Sequence, residues 1–346
     1  DTTYGFTSNA DRAEFQLTSP SSIAGFTIWD SGGIDTLDLS GYSQSANIQL
    51  REEYFSSAGG WQKNIAIARG AAIENAIGGS GNDVIVGNSL NNRLEGGAGN
   101  DTINSFGGDN TVLGGAGEDL VYGGAGNDTI DGGADRDSLF GGHGNDIIHG
   151  GDGEDSVHGG EGDDQLFGDA GDDILDGGGG VNTLWGGLGN DSLHAGYAGD
   201  TLHGGAGNDQ LRGGLGADTL YGGDDDDELT GWAGNDWLDG GGGTDTAVFI
   251  RLVTESTLVR YKGAVTVIND ADGADTLVQA KVWLSVYAGS TLVSLQTTLI
   301  DTTSRPTQKF SDRILKLKRI AVDLPLTLSG ASYAVGGEND AVHQGS

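Results

Sequence analysis

An all-β fold, a parallel β-roll closed by short β segments at both ends, is what this sequence predicts. Three observations carry the prediction. A nonapeptide repeats nineteen times without insertion through residues 78–248. Glycine makes up 66 of the 346 residues, far above the usual share of roughly 7%. The formal charge is −34, and the array alone holds 33 of the 51 acidic residues against 3 basic ones, a net −30. Such composition without a period would argue for disorder. Held in phase over nineteen units, it argues for a solenoid in which each unit buries its apolar side against the next.

Residues 1–77 come first and differ from the array. Short runs such as "AGFTIWD" and "IDTLDLSGY" alternate apolar and polar residues between turn formers, which reads as short strands. "GGIDTLDLS" (32–40) is a shortened cousin of the repeat. This segment is expected to cap the first coil, because an open solenoid end exposes core and strand edges.

In the array, residues 78–248, well-formed copies read G-G-x-G-x-D-x-U-x with U aliphatic, as in "GGAGNDTIN", "GGHGNDIIH" and "GGAGNDQLR". The nonapeptide is identified as the RTX, or hemolysin-type calcium-binding, repeat. It divides into a six-residue turn and a three-residue strand. Position eight points inward and its neighbours outward. That position is aliphatic from Ile85 to Leu238, and only Ala247, at the end, is small. Two nonapeptides per coil place repeats of like parity in one stack, about 4.8 Å apart.

Stacking brings the sixth-position carboxylates together. The odd repeats supply Asp83, Asp101, Asp119, Asp137, Asp155, Asp173, Asp191, Asp209, Asp227 and Asp245. The even repeats supply Asp128, Asp146, Asp164, Asp200, Asp218 and Asp236, with Asn92, Asn110 and Asn182 as exceptions. Such rows repel themselves, and one aliphatic residue per strand is a thin core to offset the ordering of so much glycine. A hard dication held by carboxylates and backbone carbonyls answers both problems. The expected calcium ligands are the sixteen aspartates named above, with carbonyls of turn glycines such as Gly124, Gly126, Gly142, Gly144, Gly160 and Gly162. Aspartate pairs along each row give thirteen expected sites of seventeen, the even row being weakest at its start and around Asn182. Asp224, Asp225 and Asp226 read as a solvated acidic turn beside the in-phase Asp227.

Other chemistries are poorly served. There is no H-E-x-x-H, G-x-S-x-G or P-loop lysine. His149 and His158, like His194 and His203, stand one repeat apart and so should lie on opposite sheets, which a converging zinc site forbids. No cysteine is present, so neither disulfides nor thiolate sites can form. An acidic chain is repelled by nucleic acid and anionic membranes, and no apolar run is long enough for a membrane helix. Position nine of the even repeats carries His149, Phe167, Trp185, His203 and Tyr221, expected as an outward ladder of rings. Its plain reading is same-face stacking, and its sharper one a surface for sugar or another domain.

Residues 249–346 form the expected second cap and an atypical tail. "TAVFIRLV", "STLVRY" and "AVTVIND" read as strands, and "DGADTL" (272–277) echoes the repeat. Beyond it, residues 281–320 carry seven basic residues against Asp301 and Asp312, and "RILKLKRIAVDL" fits helix or strand equally. The chain opens on Asp1 without a leader-like segment and contains no methionine, which reads as a processed or excised fragment.

"DTTYGFTSNADR", "WDSGGIDTLDLSGYSQSANIQL", "AIENAIGGSGNDVIVGN" and "GGGGTDTAVF" resemble the segment that follows the catalytic domain in serralysin-type secreted zinc metalloproteases. The resemblance covers about residues 1–277. It implies a calcium-loaded parallel β-roll, an extracellular location, a type I secretion apparatus that reads a C-terminal signal, and an upstream catalytic domain. The family's zinc motif has no counterpart in this chain. The basic tail and its "ENDAVHQGS" ending depart from the acidic, strand-like family tail, and a frame change after Leu277 would account for that. Two rival readings are a stand-alone RTX adhesin or secreted calcium-binding protein, and an accessory module of another exported enzyme such as an epimerase or lipase.

Overall fold

The computed structural model describes residues 1–249 except 13, 14, 23, 24, 31 and 235, and beyond them the strand segments 257–261, 266–269, 280–288, 291–299, 333–335 and 343–345. The expectations for "DGADTL", for "RILKLKRIAVDL" and for the basic residues from Arg305 to Arg319 lie outside the described residues.

Two long parallel sheets face each other, one of 15 strands and one of 12, with no α-helix among the described residues. The chain alternates between them. Within the array, neighbouring strands of a sheet are therefore one coil, or eighteen residues, apart, as in Thr129↔Ile147 and Ile130↔Ile148 and Ser138↔Ser156 and Leu139↔Val157. All strand pairs of the roll from Thr3–Gly5 to Ala280–Ala288 are parallel, and Thr291–Leu299 turns back antiparallel at the edge. Every position-eight residue from Ile85 to Ala247 is fully buried between the sheets.

The strands of the array are longer than expected. A typical one, Thr129–Ala134, reads TIDGGA and runs through the glycine pair of the next repeat. That leaves a turn of three residues, as at 126–128. The extension is possible because the glycine pairs of adjacent coils lie side by side, with Gly115 opposite Gly133. A Cβ on Gly133 would strike the Gly115 carbonyl, and Gly133 sits at φ 115°, so glycine is the residue that fits here without a shift; where Asp169 and Trp232 take the same position, the backbone stays left-handed at φ 71° and 69°.

The N-terminal segment does continue both sheets. Thr36–Asp38, within the shortened cousin of the repeat, pairs with Asn75–Ile77 on one side and Thr3–Gly5 on the other. A small sheet of Phe26–Ile28, Ile65–Ile67 and Phe55–Ser56 lies apart from both. Its core is richer than the array's: Ile28, Leu39, Tyr42, Ile48, Leu50 and Ile65 are buried, and Tyr4, Phe15 and Phe26 meet edge to face.

Candidate metal centre

All nineteen position-six side chains are buried, none more than 3% exposed. The three-residue turn forces this, because it folds the sixth residue back under the loop just before the strand begins. One carboxylate oxygen has a clear task. Asp137 Oδ1 accepts the backbone N–H of Asp119 at 2.8 Å, Asp155 Oδ1 that of Asp137 at 2.7 Å, and Asp146 Oδ1 that of Asp128 at 2.8 Å. Each aspartate thus holds the preceding coil of its own row.

The other oxygen has none. Oδ2 of Asp101, Asp119, Asp128, Asp137, Asp146, Asp155, Asp164, Asp173, Asp191, Asp200, Asp209, Asp218, Asp227 and Asp245 is buried without a hydrogen-bond partner. A buried carboxylate oxygen left in this state is unfavourable unless a cation or a proton meets it. Backbone oxygen is close by. A Cβ placed on Gly150 would lie 2.5 Å from Asp155 Oδ2 and 2.8 Å from the Gly168 carbonyl oxygen. On Gly123 it would lie 2.5 Å from Asp128 Oδ2 and 2.6 Å from the Gly141 carbonyl oxygen. Carboxylate and carbonyl therefore share a cradle that any side chain would fill. The donors are oxygen only, at high charge density, which is the chemistry of a hard dication.

Electrostatics agree with geometry. Burial pushes Asp101, Asp137, Asp146, Asp173, Asp191 and Asp227 up to about 7. It pushes Asp119, Asp164, Asp200, Asp209, Asp218 and Asp236 up to about 6. Loss of water is the main cause, and like charges on adjacent coils add to it at Asp101 and Asp146. Asp83, Asp128, Asp155 and Asp245 are raised by burial as well.

Two of the expected ligands differ from the rest. Asp83, first in its row, has both oxygens satisfied, by the N–H of Ala46 and of Gly79, each at 2.6 Å. Asp236 takes Asp218 N–H on Oδ1 like the others, but its Oδ2 is not among the buried partnerless oxygens. The asparagines differ too. Asn92 donates its amide to the Glu74 carbonyl and to Asn88 Oδ1, and Asn110 donates to the Gly108 carbonyl and to Asp128 Oδ1. Both are satisfied by protein alone. Asn182 Nδ2 has no partner.

The expected carbonyls of Gly124, Gly126, Gly142 and Gly144 point at the matching glycines of the following coil, Gly142, Gly144, Gly160 and Gly162, closely enough that a Cβ on any of those would clash. The carbonyl beside the partnerless oxygen belongs instead to the first glycine of the next coil, such as Gly141 or Gly168. Sequence reasoning did not single it out. It also missed Asp35, a fully buried residue of the shortened repeat whose Oδ2 is partnerless, raised by burial and by the Asp30 and Glu74 charges. A third omission is a second ladder at position five. Asn127 Oδ1 accepts the N–H of Asn145, and Asn145 Oδ1 that of Asp163, on the exposed lip of the turn. The asparagine and aspartate run at position five was its visible signal.

His149 lies in Ile147–Asp152 and His158 in Ser156–Glu161, strands of opposite sheets. Among the described residues no three His, Asp or Glu side chains converge as a group that could hold a metal ion, so a cation in the turns would rest on at most two carboxylates together with backbone carbonyls. The ring ladder forms as expected. Neighbouring centroids from His149 through Phe167, Trp185 and His203 to Tyr221 are 4.3, 4.5, 5.8 and 4.9 Å apart, with planes within 10°. A second, shorter ladder joins Tyr122, Phe140 and His158 on the other sheet.

Comparison with known proteins adds a family. A model described as the peptidase M10 serralysin C-terminal family matches residues 1–285. Metalloprotease AprA of Pseudomonas entomophila (strain L48) is 54% identical over 95 residues, 28% of this chain and 20% of that protein. A serralysin of Photorhabdus laumondii subsp. laumondii is 53% identical over 95 residues with the same coverage. Serralysin B of Dickeya chrysanthemi is 52% identical over 86 residues, 25% of this chain and 18% of that protein. The matched stretch spans about a fifth of the length of these relatives.

Proposed function

The chain belongs to the peptidase M10 serralysin C-terminal family, and from that premise we propose that it is the calcium-folded, non-catalytic portion of a secreted zinc metalloprotease. The observation that carries the reading is the double row of buried aspartates whose Oδ2 has no partner, eleven of them beside a backbone carbonyl of the next coil. On this reading residues 1–77 cap the roll, 78–248 take up calcium and 249–346 close the far end.

The ligands are the sixteen aspartates of the two rows together with turn carbonyls. Asp83 is the weakest of them because its oxygens are already occupied. Without it, eight aspartate pairs remain in the odd row and four in the even row. Calcium, when bound, supplies the positive charge that lets these carboxylates stay ionised while buried. The chain's own residues do the rest. Oδ1 fixes the preceding coil, the glycines bring carbonyl oxygens within reach, and the aliphatic column seals the interior from water.

The array's net −30 keeps it unfolded where calcium is scarce, a state suited to export through the narrow channel of a type I apparatus. Millimolar calcium outside the cell then folds it. The catalytic zinc and its ligands belong to the upstream domain that the named metalloproteases imply, not to this chain. The adhesin reading is not favoured. The ladder rings lie face to face, so the surfaces on which a sugar would stack are covered by one another. The accessory-module reading is less favoured because the family model begins at residue 1 and takes in the N-terminal segment as well as the repeat.

Calorimetric calcium titration, paired with far-ultraviolet circular dichroism in excess chelator, tests the reading. About a dozen ions per chain and loss of the β signal on chelation are expected. Only a few ions bound, or a spectrum indifferent to chelator, refutes it.

A further inference from the structure

Asn182 interrupts the even row in its middle, with Asp128, Asp146 and Asp164 before it and Asp200, Asp218 and Asp236 after it. Its backbone role is intact. Asn182 Oδ1 accepts Asp164 N–H at 2.9 Å, and its own N–H donates to Asp200 Oδ1 at 2.6 Å. What differs is the second side-chain atom. Where the aspartates point a partnerless oxygen, Asn182 points a partnerless amide nitrogen, and its side chain is fully buried. A Cβ on Gly177 would lie 2.7 Å from that nitrogen and 2.6 Å from the Ala195 carbonyl oxygen, so the cradle is present with the wrong atom in it. An N–H donor facing a cation site repels the cation. Both the Asp164/Asn182 and Asn182/Asp200 positions are lost together.

The position-five ladder ends at the same place on the same edge. Val181 N–H still donates to Asp163 Oδ1 at 2.7 Å. Val181 has no acceptor to offer the next coil, and Gly199 and Ala217 follow it at position five. Val181 and Tyr197 are 56% and 74% exposed. The opposite edge keeps both ladders through the same coils. Asp173 N–H meets Asp191 Oδ1 at 2.9 Å and Asp191 N–H meets Asp209 Oδ1 at 2.8 Å. Asn190 N–H meets Asp172 Oδ1 at 2.7 Å and Asn208 N–H meets Asn190 Oδ1 at 2.9 Å.

We propose that the roll carries a one-sided seam at Asn182. The even row is two independent calcium blocks, and at limiting calcium the even edge opens between the coils of Asp164 and Asp200 while the odd edge, clamped by Asp173, Asp191 and Asp209, acts as the hinge. This rests on the calcium reading and goes beyond it, because a uniform row would fill and open as one unit.

The test is Asn182→Asp in the full chain, with Ile174→Asp, an exposed position on a sheet face, as a control for added charge. Two readouts are used: calcium stoichiometry by calorimetry, and amide exchange at the calcium midpoint. Asn182→Asp should raise the count by about two ions, and Ile174→Asp by none. In the unaltered protein, protection at Val181, Asn182, Thr183 and Thr201 should be roughly tenfold lower than at Asn190, Asp191 and Ser192, and Asn182→Asp should erase that difference. Calcium uptake by the unaltered chain with no gain in Asn182→Asp, or equal protection of the two edges, overturns the seam and leaves the calcium reading standing. Absence of calcium uptake in every variant removes both.

Discussion

In calcium-free buffer, lowering the pH from 8 to 5 should recover part of the β structure that removal of calcium abolishes. Burial pushes twelve of the row aspartates up to about 6 or 7 in the folded roll, as at Asp101, Asp137, Asp164 and Asp218, against about 3.9 in an unfolded chain. A folded-state value above the unfolded one means that the folded chain binds more protons. The stability contributed is then fully present below about pH 4 and is lost as the pH rises through 6 to 7. A displacement of two to three pKa units corresponds to roughly 3 to 4 kcal/mol for each aspartate. Holding only three ionised and metal-free therefore costs about 10 kcal/mol, comparable to the entire stability of an ordinary domain.

At pH 8 without metal the roll should be unfolded, and at pH 5 its buried carboxyls are mostly protonated and the repulsion between coils is gone. That pH also stays above the isoelectric point of about 4.1, where precipitation would interfere. In saturating calcium the sign reverses, because the metal requires ionised ligands, and acidification should weaken the fold. Far-ultraviolet circular dichroism across pH 5 to 8, with and without calcium, should give opposing slopes. A full β signal at pH 8 without calcium, or no gain at pH 5 in the metal-free protein, would refute the argument.

Five substitutions extend this to single residues. Asp173→Asn should lower the calorimetric calcium count by about two, whereas Asp83→Asn should leave it unchanged, because both Asp83 oxygens already accept backbone N–H. Gly142→Ala places a Cβ against the Gly124 carbonyl at φ 114°, and should destabilise the calcium-loaded roll by more than about 2 kcal/mol in thermal unfolding. Gly107→Ala meets nothing nearer than the Ala125 carbonyl at 3.6 Å, and should fall within about 0.5 kcal/mol of the parent. Trp185→Ala removes ring contacts at 4.5 and 5.8 Å, and should cost about 1 to 2 kcal/mol without changing the calcium count.

The roll, its eighteen-residue coil, the inward column and the stacking of the sixth position in two rows were legible, because a strict period leaves only one phase in which Ile85 to Ala247 face inward together; that the sixth position is also buried was not. The length of the strands was not legible. Glycine pairs look like turn, and only the pairing of Gly115 with Gly133 across coils shows that they continue the ladder. The roles of the two carboxylate oxygens were hidden for a related reason. Which oxygen takes the N–H of the neighbouring coil depends on how tightly the three-residue turn folds, a property of stacked copies and not of one. Asp83 shows the same limit, since its partners Ala46 and Gly79 come from the cap and from its own turn. Asp35 fell outside the repeat frame although it occupies an equivalent place, with Leu37 buried two residues on as in the repeat.

The side-chain ladders also explain why the roll should respond to calcium as a few large units instead of coil by coil. Position six reaches backward: Asp137 Oδ1 holds the N–H of Asp119. Position five reaches forward: Asn127 Oδ1 holds the N–H of Asn145. Loosening one coil therefore strands a donor in each neighbour, and the loss travels in both directions until it meets a coil that has no such debt to pass on. The thin core cannot stop it, since each strand contributes one inward aliphatic residue and nothing else of size. A boundary between cooperative units can then fall only where a ladder lapses. On the even edge both ladders lapse together at Val181–Asn182, whereas on the odd edge position five lapses over Glu118, Arg136 and Glu154 but position six runs without a break from Asp101 to Asp245. The expected unit is consequently unequal across the roll: one continuous block along the odd edge, and two along the even edge.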